Sequence, residues 1–183
     1  QVWATGSNYA GQLGDGTRSN RKVLAQVYSS GVKAIAAGGA NSMVLKQDGS
    51  VWATGYMWFL PAGDSSFVMV FPHAVKAMAT GTTHSMVLKN DGSVWAMGWN
   101  KFGAVGDGTT THRTDFVKVM QSGVRAIAAG AHHSMVLKQD GSVWVTGSNG
   151  SGQLGHNFIY SSFTSSFVEV ISSGVKAVAA GYA

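Results

Sequence analysis

The segment Ser42–Gly55, reading SMVLKQDGSVWATG, returns as SMVLKNDGSVWAMG at Ser85–Gly98 and as SMVLKQDGSVWVTG at Ser134–Gly147. Near-identity over a fixed period is the mark of a repeat architecture, in which each unit buries its apolar face only by stacking on its neighbours. Trp3, Trp52, Trp95 and Trp144 mark one position of the repeat, separated by 49, 43 and 49 residues. Gly38, Gly81, Gly130 and Gly181 mark another, at 43, 49 and 51. The chain is therefore about four copies of a unit of 43–51 residues.

Each unit carries the signals of short antiparallel strands. Asp48-Gly49, Asp91-Gly92 and Asp140-Gly141 each lie between two runs rich in Val, Leu, Met and Trp, which predicts a β-hairpin on a type I′ turn. Ahead of each hairpin runs a small-residue stretch, 31–38, 74–81, 123–130 and 174–181. Its alanines and glycines suit an innermost strand, where neighbouring blades crowd around an axis. A fourth, outer strand is expected at Phe116–Val119 and Phe167–Val170, after a glycine-rich loop such as Gly11–Thr17. Four strands per unit make a propeller blade. The expected class is all-β, a β-propeller of four-stranded blades, with boundaries at 1–30 (outer strands), 31–73, 74–122, 123–173 and 174–183. Composition agrees: 25 glycines, two prolines and 11% charged residues describe strands and turns, and no 3.6-residue periodicity supports a helical array.

The residues resemble the regulator of chromosome condensation repeat family. A small-residue strand runs into Gly130-Ala131-His132-His133-Ser134, followed by Val143-Trp144-Val145-Thr146-Gly147-Ser148-Asn149 and then Gly152-Gln153-Leu154-Gly155. The resemblance implies a ring of seven blades, nearly twice this length. We therefore expect part of a larger propeller, or half of a ring closed by a second copy. For function it implies nucleotide exchange on a small GTPase with chromatin attachment, as in the founding member; no acidic or basic exchange surface maps onto these residues.

Chemistry-bearing motifs are sparse. The absence of cysteine removes thiolate catalysis and cysteine-ligated zinc. No nucleophile elbow, paired carboxylates or His-Glu-x-x-His motif is present, so no catalytic, cofactor-binding or metal-binding residue and no enzyme is expected. Gly150–Gly155 matches a dinucleotide fingerprint but has no helix after it, so it reads as a turn. Asp15-Gly16-Thr17 and Asp107-Gly108-Thr109 supply one carboxylate each, too few for calcium, and read as capped turns. His84 and His133 share a repeat position, held by Asn41 in the copy with Trp52, and are read with Trp3, Trp52, Trp95 and Trp144 as structural. Trp52 and Trp95 are expected to be buried between blades.

Departures from the repeat are the functional signal. The copy with Trp52 replaces its polar loop by Tyr56, Met57, Trp58, Phe59 and Leu60, and follows it with Phe67 and Phe71; Phe158 and Tyr160 displace the equivalent turn after Trp144. These nine residues are the candidate contacts with another protein chain or with the remaining blades. The expected role is a protein–protein interaction module or scaffold. An enzyme-inhibitory propeller and sugar binding between blades are the alternatives. The formal charge of +5 comes from 13 scattered basic residues, so nucleic acid is only weakly indicated, and no apolar run is long enough to span a membrane.

Overall fold

The computed structural model describes residues 1–57, 64–155 and 162–182. Fourteen strands form one two-stranded and three four-stranded antiparallel sheets, with no helix among the described residues. The leading sheet pairs β1 (Val2–Gly6) with β2 (Arg21–Tyr28). The first full blade is β3 (Val32–Ala37), β4 (Asn41–Lys46), β5 (Val51–Gly55) and β6 (Asp64–Phe71). The second is β7 (Val75–Thr80), β8 (His84–Lys89), β9 (Val94–Gly98) and β10 (Arg113–Met120). The third is β11 (Val124–Ala129), β12 (His133–Lys138), β13 (Val143–Ser148) and β14 (Phe163–Ile171).

Strand order within each blade follows the chain, so every connection is a simple antiparallel return. The small-residue strands β3, β7 and β11 pack beside one another and so lie nearest the axis. Glycine is required there. A Cβ on Gly81 would stand 2.1 Å from the Gly130 carbonyl oxygen, and one on Gly38 would stand 2.3 Å from that of Gly81. Residues 174–182 repeat the inner-strand sequence but pair with no strand among the described residues. Val175 and Val178 nevertheless cover the core of the third blade, around Leu137, Val143, Val145 and Leu154.

The hairpins are not type I′. Gly49, Gly92 and Gly141 have positive φ, but Asp48, Asp91 and Asp140 do not. Gly49 N–H donates to the Lys46 carbonyl and Lys46 N–H to the Ser50 carbonyl, so the turn centres on Gln47-Asp48 with glycine following as a bulge residue. Aspartate is needed for its side chain: Asp48 Oδ1 accepts from Ser50 N–H (2.9 Å) and Ser50 Oγ (2.6 Å).

The core lies between blades. Met43, Leu45, Val51 and Ala53 of the first blade meet Val75, Val87 and Met97 of the second, and Met86, Leu88, Val94 and Ala96 meet Val124 and Val136 of the third. Alternate strand residues thus face opposite neighbours, which is why β4, β5, β8 and β9 read as nearly continuous apolar runs.

Candidate functional site

The two ends of each blade have different chemistry. At one end lie the Asp-Gly hairpins. The other carries the glycine-rich loops, and these clamp adjacent blades together. Thr54 Oγ1 donates to the Gly11 carbonyl (2.9 Å), and Thr146 Oγ1 to that of Gly103 (2.8 Å). A Cβ on Gly14 would stand 2.3 Å from the Phe67 ring, and one on Gly106 would stand 2.4 Å from that of Phe167. The Asp-Gly-Thr turns lock these loops. Asp15 accepts from Thr17 N–H and Oγ1 (2.9 and 2.8 Å), Asn8 Nδ2 (3.1 Å) and Arg21 Nε (2.6 Å). Burial opposes ionisation of Asp15, but these donors outweigh it together and hold the carboxyl at about 2. Asp107 repeats the arrangement with Thr109, Asn100 and Arg113. With its oxygens engaged by donors, neither aspartate is arranged to bind a cation, and among the described residues no three metal-ligating side chains group together.

On this loop face five aromatic and imidazole rings meet at the junction of the second and third blades. β9 ends at Gly98 (φ 118°), whose left-handed turn hands Trp99 to the face, where its N–H donates to the Thr83 carbonyl (2.9 Å). Phe102 lies edge-on to the Trp99 ring, centroids 5.3 Å apart. His112 stacks on Trp99 at 5.9 Å, with planes 13° apart. Its Nδ1 accepts from Asn100 N–H (2.9 Å), which leaves the ring proton on Nε2. The third blade contributes His132, 5.2 Å from Trp99 and 6.0 Å from Phe102, and Phe163, 6.3 Å from Phe102. Burial holds the His132 imidazole below its ordinary range. The Lys101 ammonium sits 6.0 Å above the Phe102 ring.

Of the residues singled out from sequence, Tyr56 is 46% exposed and stands at the loop-face position that Trp99 occupies one blade on. Met57 does not face a partner: it is 6% exposed and belongs to the core between the first and second blades. Phe67 and Phe71 are also committed within the chain. Phe67 packs edge-on to Tyr28 and beneath Gly14; Phe71 packs edge-on to Trp95 and Phe116. Their place after an aberrant loop suggests a surface contact, whereas β6 turns them towards the preceding and following blades. Trp58, Phe59, Leu60, Phe158 and Tyr160 lie outside the described residues.

Trp52, Trp95 and Trp144 are half-buried rather than buried. Their indole N–H groups donate to Ser50, Ser93 and Ser142, while Lys46, Lys89 and Lys138 lie over the rings. Trp3 is 51% exposed. His84 and His133 are buried between strands. Sequence reasoning missed Trp99, Phe102, His112, His132 and Phe163. The signal was available, since the copies with Trp3 and Trp144 have Ser7 and Ser148 where Trp99 stands, and Ala10 and Ser151 where Phe102 stands.

Blades of this sequence pattern and topology have known counterparts. The regulator of chromosome condensation (RCC1) repeat model matches residues 75–104, 91–137 and 124–153. Residues 75–153 carry RCC1 repeats. Yeast RCC1 (Prp20) in its complex with Kap60 superposes with a TM-score of 0.81 at 21% identity, covering 92% of this chain and 44% of that one. Human WBSCR16 superposes at 0.80 and 21%, covering 92% and 48%. Prp20p from Saccharomyces cerevisiae, described with its binding to Gsp1p and histones, superposes at 0.75 and 20%, covering 99% and 50%. The chain thus spans up to about half the length of these RCC1-like propellers, and at such identity the likeness establishes the fold. No curated protein sequence matches it.

Proposed function

We propose that these RCC1 repeats form an interaction module whose loop face, centred on Trp99 and Phe102, docks another protein. The observation that carries this is the ring cluster itself: large aromatic groups gathered from two blades onto a face made of loops, with Trp99 and Phe102 at positions where the copies with Trp3 and Trp144 have serine or alanine. Aromatic side chains held rigid by their neighbours supply contact area at low entropic cost and dominate interface energetics. Tyr56 extends the same face one blade away.

Binding is favoured over catalysis because the titratable groups near the cluster serve the fold: Asp107 is engaged with Arg113 and Thr109, and His112 with Asn100. The named binding of Prp20 to proteins is consistent with a protein partner here. The test is affinity capture from the native source with the wild-type chain and with Trp99→Ala/Phe102→Ala. Proteins retained by the first and by a Lys46→Gln control, but lost from the double variant, support the reading. Identical captured sets overturn it, and a glycan-array signal lost in the same double variant would replace protein by sugar as the ligand.

A further inference from the structure

The opposite, hairpin face carries a charge pattern hidden in the linear sequence. Lys33, Lys76, Arg125 and Lys176 are 43, 49 and 51 residues apart, yet each is the residue after the valine that opens an inner-strand repeat. All four are exposed. The valine is fixed in the same way from blade to blade: Val75 N–H donates to the Gly49 carbonyl (3.1 Å), Val124 N–H to that of Gly92 (3.2 Å) and Val175 N–H to that of Gly141 (3.2 Å). Three of the four charges therefore sit at one station of the repeat, each anchored to the preceding hairpin, and Lys33 holds the same register on β3. Because β3, β7 and β11 pack side by side, Lys33, Lys76 and Arg125 line an arc around the axis at its hairpin end, and Lys176 follows the Val175 held by Gly141. Arg125 reaches along that arc, its Nη2 donating to the Val175 carbonyl.

Among the described residues none of these four is in an ion pair, whereas Lys46 and Lys89, farther from the axis, lie 3.7 and 4.0 Å from Asp48 and Asp91. The face is thus positive at its centre and ringed by hairpin carboxylates. Hydrogen bonds from Ser50, Ser93 and Ser142 favour the charged form of Asp48, Asp91 and Asp140.

We propose that this arc binds a short acidic peptide segment at the axial mouth. Four exposed cations outside ion pairs, at one register of successive repeats, attract a compact anion. The surrounding carboxylates select its shape. A duplex lying across the face must carry its phosphates over Asp48, Asp91 or Asp140, while a peptide strand entering along the axis meets only the basic arc.

The probe is a short fluorescein-labelled polyglutamate peptide, titrated into the chain by anisotropy with duplex DNA as competitor. Saturable binding that weakens about tenfold in Lys76→Gln/Arg125→Gln, falls with added salt and is unchanged in the loop-face variant Lys101→Gln is the expected result. All these sites are exposed, and thermal melts of the variants establish that they fold. No binding to the wild type, equal binding to a variant lacking all four charges, or duplex DNA that binds more tightly than the peptide would each overturn the proposal. Because Trp99→Ala/Phe102→Ala is expected to leave peptide affinity intact, failure here is separable from failure of the loop-face reading.

Discussion

His84 Nε2 lies 2.8 Å from Ser134 Oγ across the boundary between the second and third blades, and Ser134 Oγ in turn donates to the Ala104 carbonyl at 2.7 Å. The serine proton is committed to that carbonyl, so His84 is the donor and its proton sits on Nε2. Nδ1 is then a buried lone pair without a partner. Protonating it would create a buried imidazolium with no acceptor, and desolvation accordingly lowers the His84 pKa from 6.5 to about 3, with smaller contributions from His133 and His132.

The sign of the pH dependence follows. Between pH 6.5 and about 3 the unfolded chain binds a proton at His84 that the folded chain does not, so the stability from this neutral ring is complete above pH 6.5 and declines as pH falls. Carboxylates such as Asp15, shifted from 3.8 to about 2, act only at lower pH. Thermal melts between pH 7.5 and 4.5, about the histidine window, should show a falling Tm for wild type and a shallower fall for His84→Asn. His133 and His132, also lowered by desolvation, account for the remaining slope. Equal slopes would mean that His84 is not the sensitive group.

The equivalent junction between the first and second blades is built differently. Asn41 replaces the histidine, and Thr80 replaces the alanine found at Ala129 one blade on. Thr80 Oγ1 donates to Asn41 Oδ1 (2.8 Å) and lies 2.9 Å from Ser85 Oγ, so threonine bridges the gap that the shorter asparagine leaves before Ser85. Asn41→His alone should crowd Thr80 and cost about 1–3 kcal/mol, and Thr80→Ala alone should strand Asn41 Oδ1 at similar cost. The double variant recreates the His84–Ser134 solution and should recover at least half of the summed loss. Additive losses in a denaturant-melt cycle would show that the two positions are independent.

Blades, hairpins and inner strands were legible because repetition states the same backbone solution several times. What the repeat hides is which side of a strand faces which neighbour. The aberrant loop before Phe67 and Phe71 suggests a surface contact, yet the outer strand directs one at Tyr28 and the other at Trp95. Trp99, Phe102, His112, His132 and Phe163 span too much sequence to look like a cluster until the blade junction assembles them. The basic arc was missed for the same reason, since a search for consecutive lysines finds only runs along the chain. The turn type was misread because Asp-Gly fits two hairpin geometries, and the Asp48–Ser50 hydrogen bonds select the one with a single left-handed residue.

The loop clamp makes glycine obligatory at Gly106 for two reasons. Its φ is 81°, and a Cβ there would stand 2.4 Å from Phe167 and 2.9 Å from Thr146 Cγ2. Gly106→Ala should lower stability by about 2–4 kcal/mol, combining backbone strain with overpacking. Gly108→Ala tests the backbone contribution alone, since φ is 83° but the nearest atom would be Ser166 Oγ at 3.6 Å. Its expected cost is about 1–2 kcal/mol. Equal losses in urea melts would remove the Phe167 contact from the explanation.

Binding and stability should separate between Trp99 and Phe71. Trp99 is half-buried, as Phe71 is, but it lies on the loop face among rings from two blades, so Trp99→Ala should weaken partner association by about 1–3 kcal/mol and lower Tm less than Phe71→Ala does. Phe71 packs against the core between the first and second blades and edge-on to Trp95 and Phe116. Phe71→Ala should therefore cost about 2–3 kcal/mol of stability, near the low end for a phenylalanine because the ring is half-buried, while leaving affinity unchanged below its Tm. Calorimetric melts and titration against the captured partner read the two effects independently. The reverse pattern, with Phe71→Ala weakening association at intact Tm and Trp99→Ala only destabilising, would move the docking surface away from the second and third blades and onto the edge of β6.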